Sequence, residues 1–225
     1  MERRNFVRNI GAGALFLGLG GVSYAFDRDK NKDKLKKHKK HITILHTNDT
    51  HSHIDPMPSD DPHYPDKGGV ARRAVLIEQV RKENPNTLLF DAGDIFQGTP
   101  YFNYYGGELE FRLMSMLKYD AATFGNHDFD NGIEGLLFQM PHAKFDFISS
   151  NYDFTNTVLE GKTKPYKVFE VDDVRIGVYG LGVELKGLVT KELYRETKYL
   201  DPVEIAIDME KKLRKNENCD IVICL

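Results

Sequence analysis

At 225 residues, 40% of them apolar and 29% charged, the chain has room for one substantial domain with a sizeable core. Its formal net charge of −3 is unevenly spread: residues 1–26 carry +2, residues 27–41 carry eight Lys or Arg against three Asp, and about −10 is left for everything from Ile42 onward. So acidic a main domain lacks the dense basic surface that a nucleic-acid phosphate backbone requires, and a phosphate-bearing substrate would have to be recruited through metal cations.

In chain order, Arg3-Arg4-Asn5-Phe6-Val7-Arg8 sets an arginine pair before the apolar, glycine-rich run Ile10 to Val22, and Ser23-Tyr24-Ala25 supplies small residues for cleavage. Residues 1–26 are similar to a twin-arginine export signal. The apolar run is about 13 residues, short of the roughly 20 that span a bilayer. The expected destination is therefore the periplasm or the exterior by way of the twin-arginine export machinery; an uncleaved signal would leave the protein tethered to the membrane. Residues 27–41 are lysine-rich with almost no apolar content and read as a solvated linker, so His38 and His41 are given no metal role.

The domain expected over residues 42–225 opens with the strand Ile42-Thr43-Ile44-Leu45, which runs into His46-Thr47-Asn48-Asp49-Thr50-His51. A long loop, Ser52 to Lys67, precedes a helix in which Val70, Ala74, Ile77 and Val80 recur at helical spacing as far as Glu83, before Asn84-Pro85 ends it. The next strand, Thr87 to Phe90, runs into Asp91-Ala92-Gly93-Asp94. This β-loop-α-β order predicts a parallel, right-handed crossover. Phe96 to Tyr105 reads as an aromatic loop wall and Glu108 to Lys118 as a second helix. A third strand, Ala121 to Phe124, then delivers Gly125-Asn126-His127-Asp128-Phe129-Asp130.

Further on, Phe145 to Ser150 reads as a buried strand ending at Asn151. Tyr166 to Val171 and Val174 to Tyr179, flanking Asp172-Asp173, carry a hairpin signature. Pro202 to Lys215 predicts an amphipathic helix with Val203, Ile205, Ala206, Met209 and Leu213 turned inward, and Asp220 to Leu225 a last strand. Cys219 and Cys224, about 16 Å apart on an extended strand, are beyond disulfide reach and read as core residues.

Three apolar strands thus end in oxygen and nitrogen donors, at the edge where open α/β sheets hold their ligands. Asp49 and His51 are alternate residues past one strand end, Asp94 sits past a neighbouring one where it could bridge two ions, and Asn126 offers a neutral carbonyl. Carboxylate, imidazole and amide together suit Zn, Mn, Fe or Mg. Two such ions can activate water and clamp the oxygens of a phosphoryl group in transfer.

The runs Ile44 to His51, Gly93-Asp94 with Gln97-Gly98, and Gly125 to Asp130 resemble, in this order, the metal-binding motifs of the calcineurin-like metallophosphoesterases, specifically the 5′-nucleotidase and UDP-sugar hydrolase branch. The resemblance implies an α/β fold, a four-layer α/β/β/α sandwich around two divalent metal ions. Asp49 and His51 would hold the first ion, Asp94 would bridge and Asn126 would hold the second. His127 would stabilise the transferring phosphoryl group or protonate the leaving oxygen, with Asp130 orienting it. Asp128 stands where the family tolerates either acid and receives no role. His46, His53 and Asp91 read as supporting residues.

In the family a histidine and a later Gly-His motif beyond the last strand add ligands, and a C-terminal domain reads the nucleoside. The 225 residues include none of these. The sandwich is therefore expected to be incomplete at its C-terminus, with three protein ligands for the first ion and two, Asp94 and Asn126, for the second; His53 and Asn151 are the candidates for replacing the missing ones. The expected function is an exported metal-dependent phosphohydrolase acting on nucleotides or related phosphate esters. The alternative is a catalytically weak or inert metal-binding fold that needs the missing ligands or a separately encoded substrate domain.

Overall fold

The computed structural model describes residues 39–225; the arginine pair, the apolar run and most of the basic linker lie outside them. Strands β1 (Thr43–Thr47), β2 (Thr87–Asp91), β3 (Ala121–Ala122) and β4 (Asp146–Phe147) form an all-parallel sheet in the order β1-β2-β3-β4. A short antiparallel pair joins β5 (Tyr152–Asp153) to β8 (Lys198–Tyr199). A second sheet has the order β6 (Tyr166–Val171), β7 (Val174–Tyr179) and β9 (Ile221–Cys224), with β6 and β7 antiparallel and β7 and β9 parallel.

Successive side chains of a strand face opposite ways, and β2 shows the consequence. Leu89 faces a core shared with Ile77 of α1 (Val70–Glu83), Phe111 and Met114 of α3 (Glu108–Met116), and Ile133 and Leu136 of α4 (Gly132–Gln139). Leu88 and Phe90 face the other way, packing with Ala121 and Ile148 against Ile176 and Val178 of the second sheet. The far side of that sheet is covered by α6 (Pro202–Lys215), whose Leu213 is fully buried with Tyr179 and Cys219. The layers are therefore α/β/β/α, and the run Thr87 to Asp91 is apolar because both of its faces are covered.

The ends of α6 follow from its sequence. Asp201 Oδ1 accepts the N–H groups of Val203 and Glu204 at 2.8 and 3.0 Å, Pro202 fits the first turn, and Lys212, Arg214 and Lys215 lie in the last turn. Val203 departs from expectation. It is 66% exposed, because the inward stripe runs through Ala206, Met209 and Leu213 and Val203 falls about a quarter of a turn off its centre. Cys224 is likewise exposed, since β9 is the outer strand of its sheet; Cys219 is buried as expected. The expected loop from Phe96 to Tyr105 contains a further helix, α2 (Pro100–Tyr105), begun by Pro100 and ended by Gly106 in the left-handed region at φ 61°. Helix α4 was not anticipated, nor was the short helix α5 (Lys191–Tyr194). Among the described residues no helix is long and apolar enough to cross a membrane.

Leu213 joins α6 to the second sheet, so Leu213→Ala is expected to lower unfolding free energy by about 2–5 kcal/mol in urea titrations. A change under about 1 kcal/mol would show that α6 is not held by this contact.

Candidate metal centre

The parallel ladder between β1 and β2 does not stop where the strands do. Ala92 N–H donates to the Thr47 carbonyl at 2.8 Å, Asp49 N–H to Gly93 at 3.0 Å, His51 N–H to Asp94 at 3.1 Å and Ser52 N–H to Ile95 at 3.0 Å. Two loops thus run side by side beyond the sheet edge. Five of their non-glycine residues lie in the left-handed region: Asp49 (φ 49°), His51 (43°), Ser52 (54°), Asp94 (55°) and Gln97 (65°). Each such residue costs about 1–2 kcal/mol, a strain sustained only where the surroundings fix the backbone.

The fixing group is Asp128, which is fully buried. Its Oδ2 accepts the N–H groups of Asp94 at 3.0 Å and Gly125 at 2.8 Å, and its Oδ1 those of Ile95 at 2.9 Å and Phe96 at 3.2 Å. One carboxylate ties the loop after β2 to the loop after β3. Burial raises its pKa to about 7, against the pull of the Gly125 and Phe96 N–H groups. Close approach of the two loops also demands glycine: a Cβ on Gly93 would lie 2.3 Å from the Gly125 nitrogen, and one on Gly125 would lie 2.2 Å from Asp94 Oδ1.

Sequence reasoning gave Asp128 no role. The available signal was an acid two residues past Asn126 in a turn, where a short carboxylate commonly captures nearby backbone N–H groups.

Asp91 braces the other side. It is wholly buried and accepts from Thr47 Oγ1 at 2.6 Å and Gly93 N–H at 2.9 Å; Thr47 Oγ1 also meets Tyr119 Oη at 2.7 Å. Burial raises the Asp91 pKa to about 7 despite these donors.

These anchors bring Asp49, His51 and Asp94 together, with one donor atom from each lying within 4.8 Å of the others. His51 Nδ1 lies 3.2 Å from the Phe96 carbonyl, and Nε2 lies 3.8 Å from Asp49 Oδ1. With its proton on Nδ1 donated to that carbonyl, the imidazole keeps the Nε2 lone pair free for an ion. Two carboxylates and a neutral imidazole, with residue exposures from half-buried to exposed, fit a divalent ion that retains water. Asp94 Oδ1 also accepts the His127 N–H at 2.8 Å.

Asn126 and His127 follow on the same turn, both half-buried. The His127 ring meets that of His51 edge to face at 5.1 Å, and its Nδ1 lies 2.9 Å from Asp130 Oδ2. The hydrogen bond that the His127 ring donates to Asp130 raises the His127 pKa; burial opposes it, and the Asp130, Asp94 and Asp128 charges add to it.

The supporting residues separate. His46 is exposed on β1, while His53 is exposed and directs Nδ1 to the His51 carbonyl at 3.1 Å. Asn151 is excluded as a replacement ligand in this arrangement: it is wholly buried, and its amide both donates to the Gly182 carbonyl and accepts the Gly182 N–H at 2.8 Å.

Carboxylates and imidazoles gathered at the C-terminal edge of a parallel sheet within an α/β/β/α sandwich define the class: an α/β fold with a candidate divalent-metal site at its sheet edge. Residues 42–225 match the calcineurin-like phosphoesterase family, and the chain belongs to it. It is 41% identical over 146 residues to the snake venom 5′-nucleotidase of Naja atra, covering 62% of this chain and 28% of that protein. It is 31% identical over 240 residues to the trifunctional nucleotide phosphoesterase protein YfkN of Bacillus subtilis, covering 92% of this chain and 16% of that one. The crystal structure of a 5′-nucleotidase precursor from Thermus thermophilus superposes with a TM-score of 0.74 at 34% identity, over 81% of this chain and 36% of that chain. The chain therefore spans about a third or less of the length of these relatives.

Two outcomes are expected at this site. Asp128→Ala leaves four backbone N–H groups without their acceptor, at about 1–3 kcal/mol for each one left buried and unpaired, so denaturant titration should show a loss above about 3 kcal/mol. In the metal-free protein the raised His127 pKa gives stability that is full below its ordinary value of 6.5 and lost as pH rises through the raised value. Asp130→Asn should return the His127 titration toward 6.5 in proton NMR and remove that contribution. An unmoved titration would show that Asp130 does not govern the imidazole.

Proposed function

We propose that this chain carries the metal-binding core of an exported phosphohydrolase of the 5′-nucleotidase type, with phosphate esters of nucleotides as its substrate class. The observation that carries the reading is the cluster of Asp49, His51 and Asp94 beside the His127–Asp130 pair, in a chain whose relatives include 5′-nucleotidases. Asp49 and His51 would hold the first divalent ion, Asp94 would bridge, and Asn126 would serve the second. Bound ions of this kind supply Lewis acidity and an acidified water.

The protein's own residues do the rest. The Phe96 carbonyl holds His51 with Nε2 toward the cluster. Asp130, on His127 Nδ1, keeps Nε2 as the ring's free donor and favours the imidazolium, which suits it to steady a developing oxyanion or to give a proton to the leaving alkoxide. The Asp94 carboxylate, fixed by the His127 N–H, keeps the two halves of the site in register.

Export rests on the sequence alone: a twin-arginine signal over residues 1–26, a basic linker over 27–41 and the phosphoesterase domain over 42–225. On this reading the mature protein acts in the periplasm or outside the cell.

Hydrolysis of a nucleoside monophosphate by the purified chain should cease in chelator and return with a divalent ion, and His127→Ala should lower kcat by about 10²–10⁴-fold. Because one three-donor cluster of His, Cys, Asp and Glu side chains is present among the described residues, elemental analysis after gel filtration should find one tightly held ion per 225-residue chain. Turnover that ignores both chelator and His127→Ala would reject the assignment.

A further inference from the structure

Beneath the loop that carries His51 lies a small cavity of about 20 Å³, lined by Thr50, Ser52 and His53 on the loop side and by Arg73 and Glu110 on the helix side. It holds an anomaly. Glu110, in α3, is 3% exposed, and neither carboxylate oxygen has a hydrogen-bond partner; Ser52, 2% exposed, has an equally unpartnered Oγ. A buried carboxylate without partners is a net cost to folding, and the neighbouring Ile95, Leu113 and Met114 would accept an apolar residue in its place. The cavity wall is mostly apolar, but Ser52, Arg73 and Glu110 bring polar groups to it, and it is large enough for one water, which needs about 10–15 Å³ and two or more polar partners.

We propose that Glu110 is a positioning residue for the metal centre, coupled through a cavity water to Ser52 and to the Arg73 guanidinium. Ser52 is the residue after His51, and its backbone is held on its other sides: its N–H donates to Ile95 at 3.0 Å, and its carbonyl accepts Thr99 Oγ1 at 2.8 Å. Its hydroxyl is the handle left over, and Ser52 lines the same cavity as Glu110. A left-handed loop held by this handle presents the His51 imidazole in one place, and losing the handle lets that ligand wander. Arg73 also donates to Tyr119 Oη at 3.4 Å, and Tyr119 meets Thr47, the donor to Asp91. One cation therefore stands between the acids that support the two ligand loops. This is the role expected of a buried, unpartnered carboxyl group retained at a cost in stability: holding a functional backbone in a single arrangement.

The proposal rests on reading Asp49, His51 and Asp94 as a metal site, and the test separates the two. The full chain is titrated with Co²⁺, following the visible ligand-field absorption, with His51→Ala as the control, and melting temperature is measured on the same metal-free samples. Glu110→Leu should weaken Co²⁺ binding at least tenfold and alter the band shape, with a melting temperature at or above that of the parent. Glu110→Gln, which keeps a polar group facing the cavity, should stay within about threefold of the parent. Glu110→Met repeats the measurement should the leucine variant fail to fold. Parent-like binding by the apolar variant, or weakened binding matched by a fallen melting temperature, overturns the positioning role while leaving the metal site standing. No cobalt spectrum from the parent chain, or one that survives His51→Ala, overturns both.

Discussion

Everything at the sheet edge depends on one buried carboxylate. Asp128 takes hydrogen bonds from the backbone of Asp94, Ile95, Phe96 and Gly125, and so decides how the loop after β2 sits against the loop after β3. Without it, the Asp94, Ile95, Phe96 and Gly125 N–H groups would lose their shared acceptor, and the bond from the His127 N–H to Asp94 Oδ1 would be left to hold the loop of Asp94 against the loop of Asn126 and His127. Such an anchor is strong because its acceptor is an anion and its donors are already immobile. It is also vulnerable, because burial pushes the same carboxyl toward protonation.

Rigidity here offsets backbone strain. Asp49, His51, Ser52 and Asp94 all sit in a conformation that side chains resist, yet they are joined across the loops by the extended ladder. The glycines work the other way: Gly93 and Gly125 allow an approach that a single Cβ would block. Together these features place the candidate ligands on backbone that is irregular but not loose. The orientation of each imidazole is then set by a second contact, the Phe96 carbonyl for His51 and the Asp130 carboxylate for His127. Precision at such a site comes from the residues behind the ligands as much as from the ligands.

Much of the frame is legible in the sequence because it rests on local rules. Helix α1 ends at Asn84 ahead of Pro85, the β6–β7 hairpin turns at Asp172-Asp173, and α6 announces itself with Asp201-Pro202. The misreadings share another cause. Val203 looks inward by composition but lies off the buried stripe; Cys224 looks like core but is on the outer strand; Pro100–Tyr105 looks like loop because its aromatics mask a proline-to-glycine helix. For Val203 and Cys224 the outcome is decided by where the rest of the chain packs, and for Pro100–Tyr105 by local end signals that the aromatics obscure.

By itself, the sequence determined which residue types stand at the strand ends and in what order. That suffices for the α/β reading and for naming Asp49, His51, Asp94 and Asn126 as candidates, because strand periodicity and turn chemistry act over a few residues; His127 and Asp130 were singled out by the family resemblance of their motif. Only the tertiary structure decided what holds those candidates in place. Asp128 reaches back 34 residues to Asp94, Asn151 turns out to be occupied by Gly182, and Glu110 and Ser52 meet at one cavity from separate elements. Burial and hydrogen-bond partners of this kind exist only after the chain has folded, since they are properties of the space between segments and not of any segment alone.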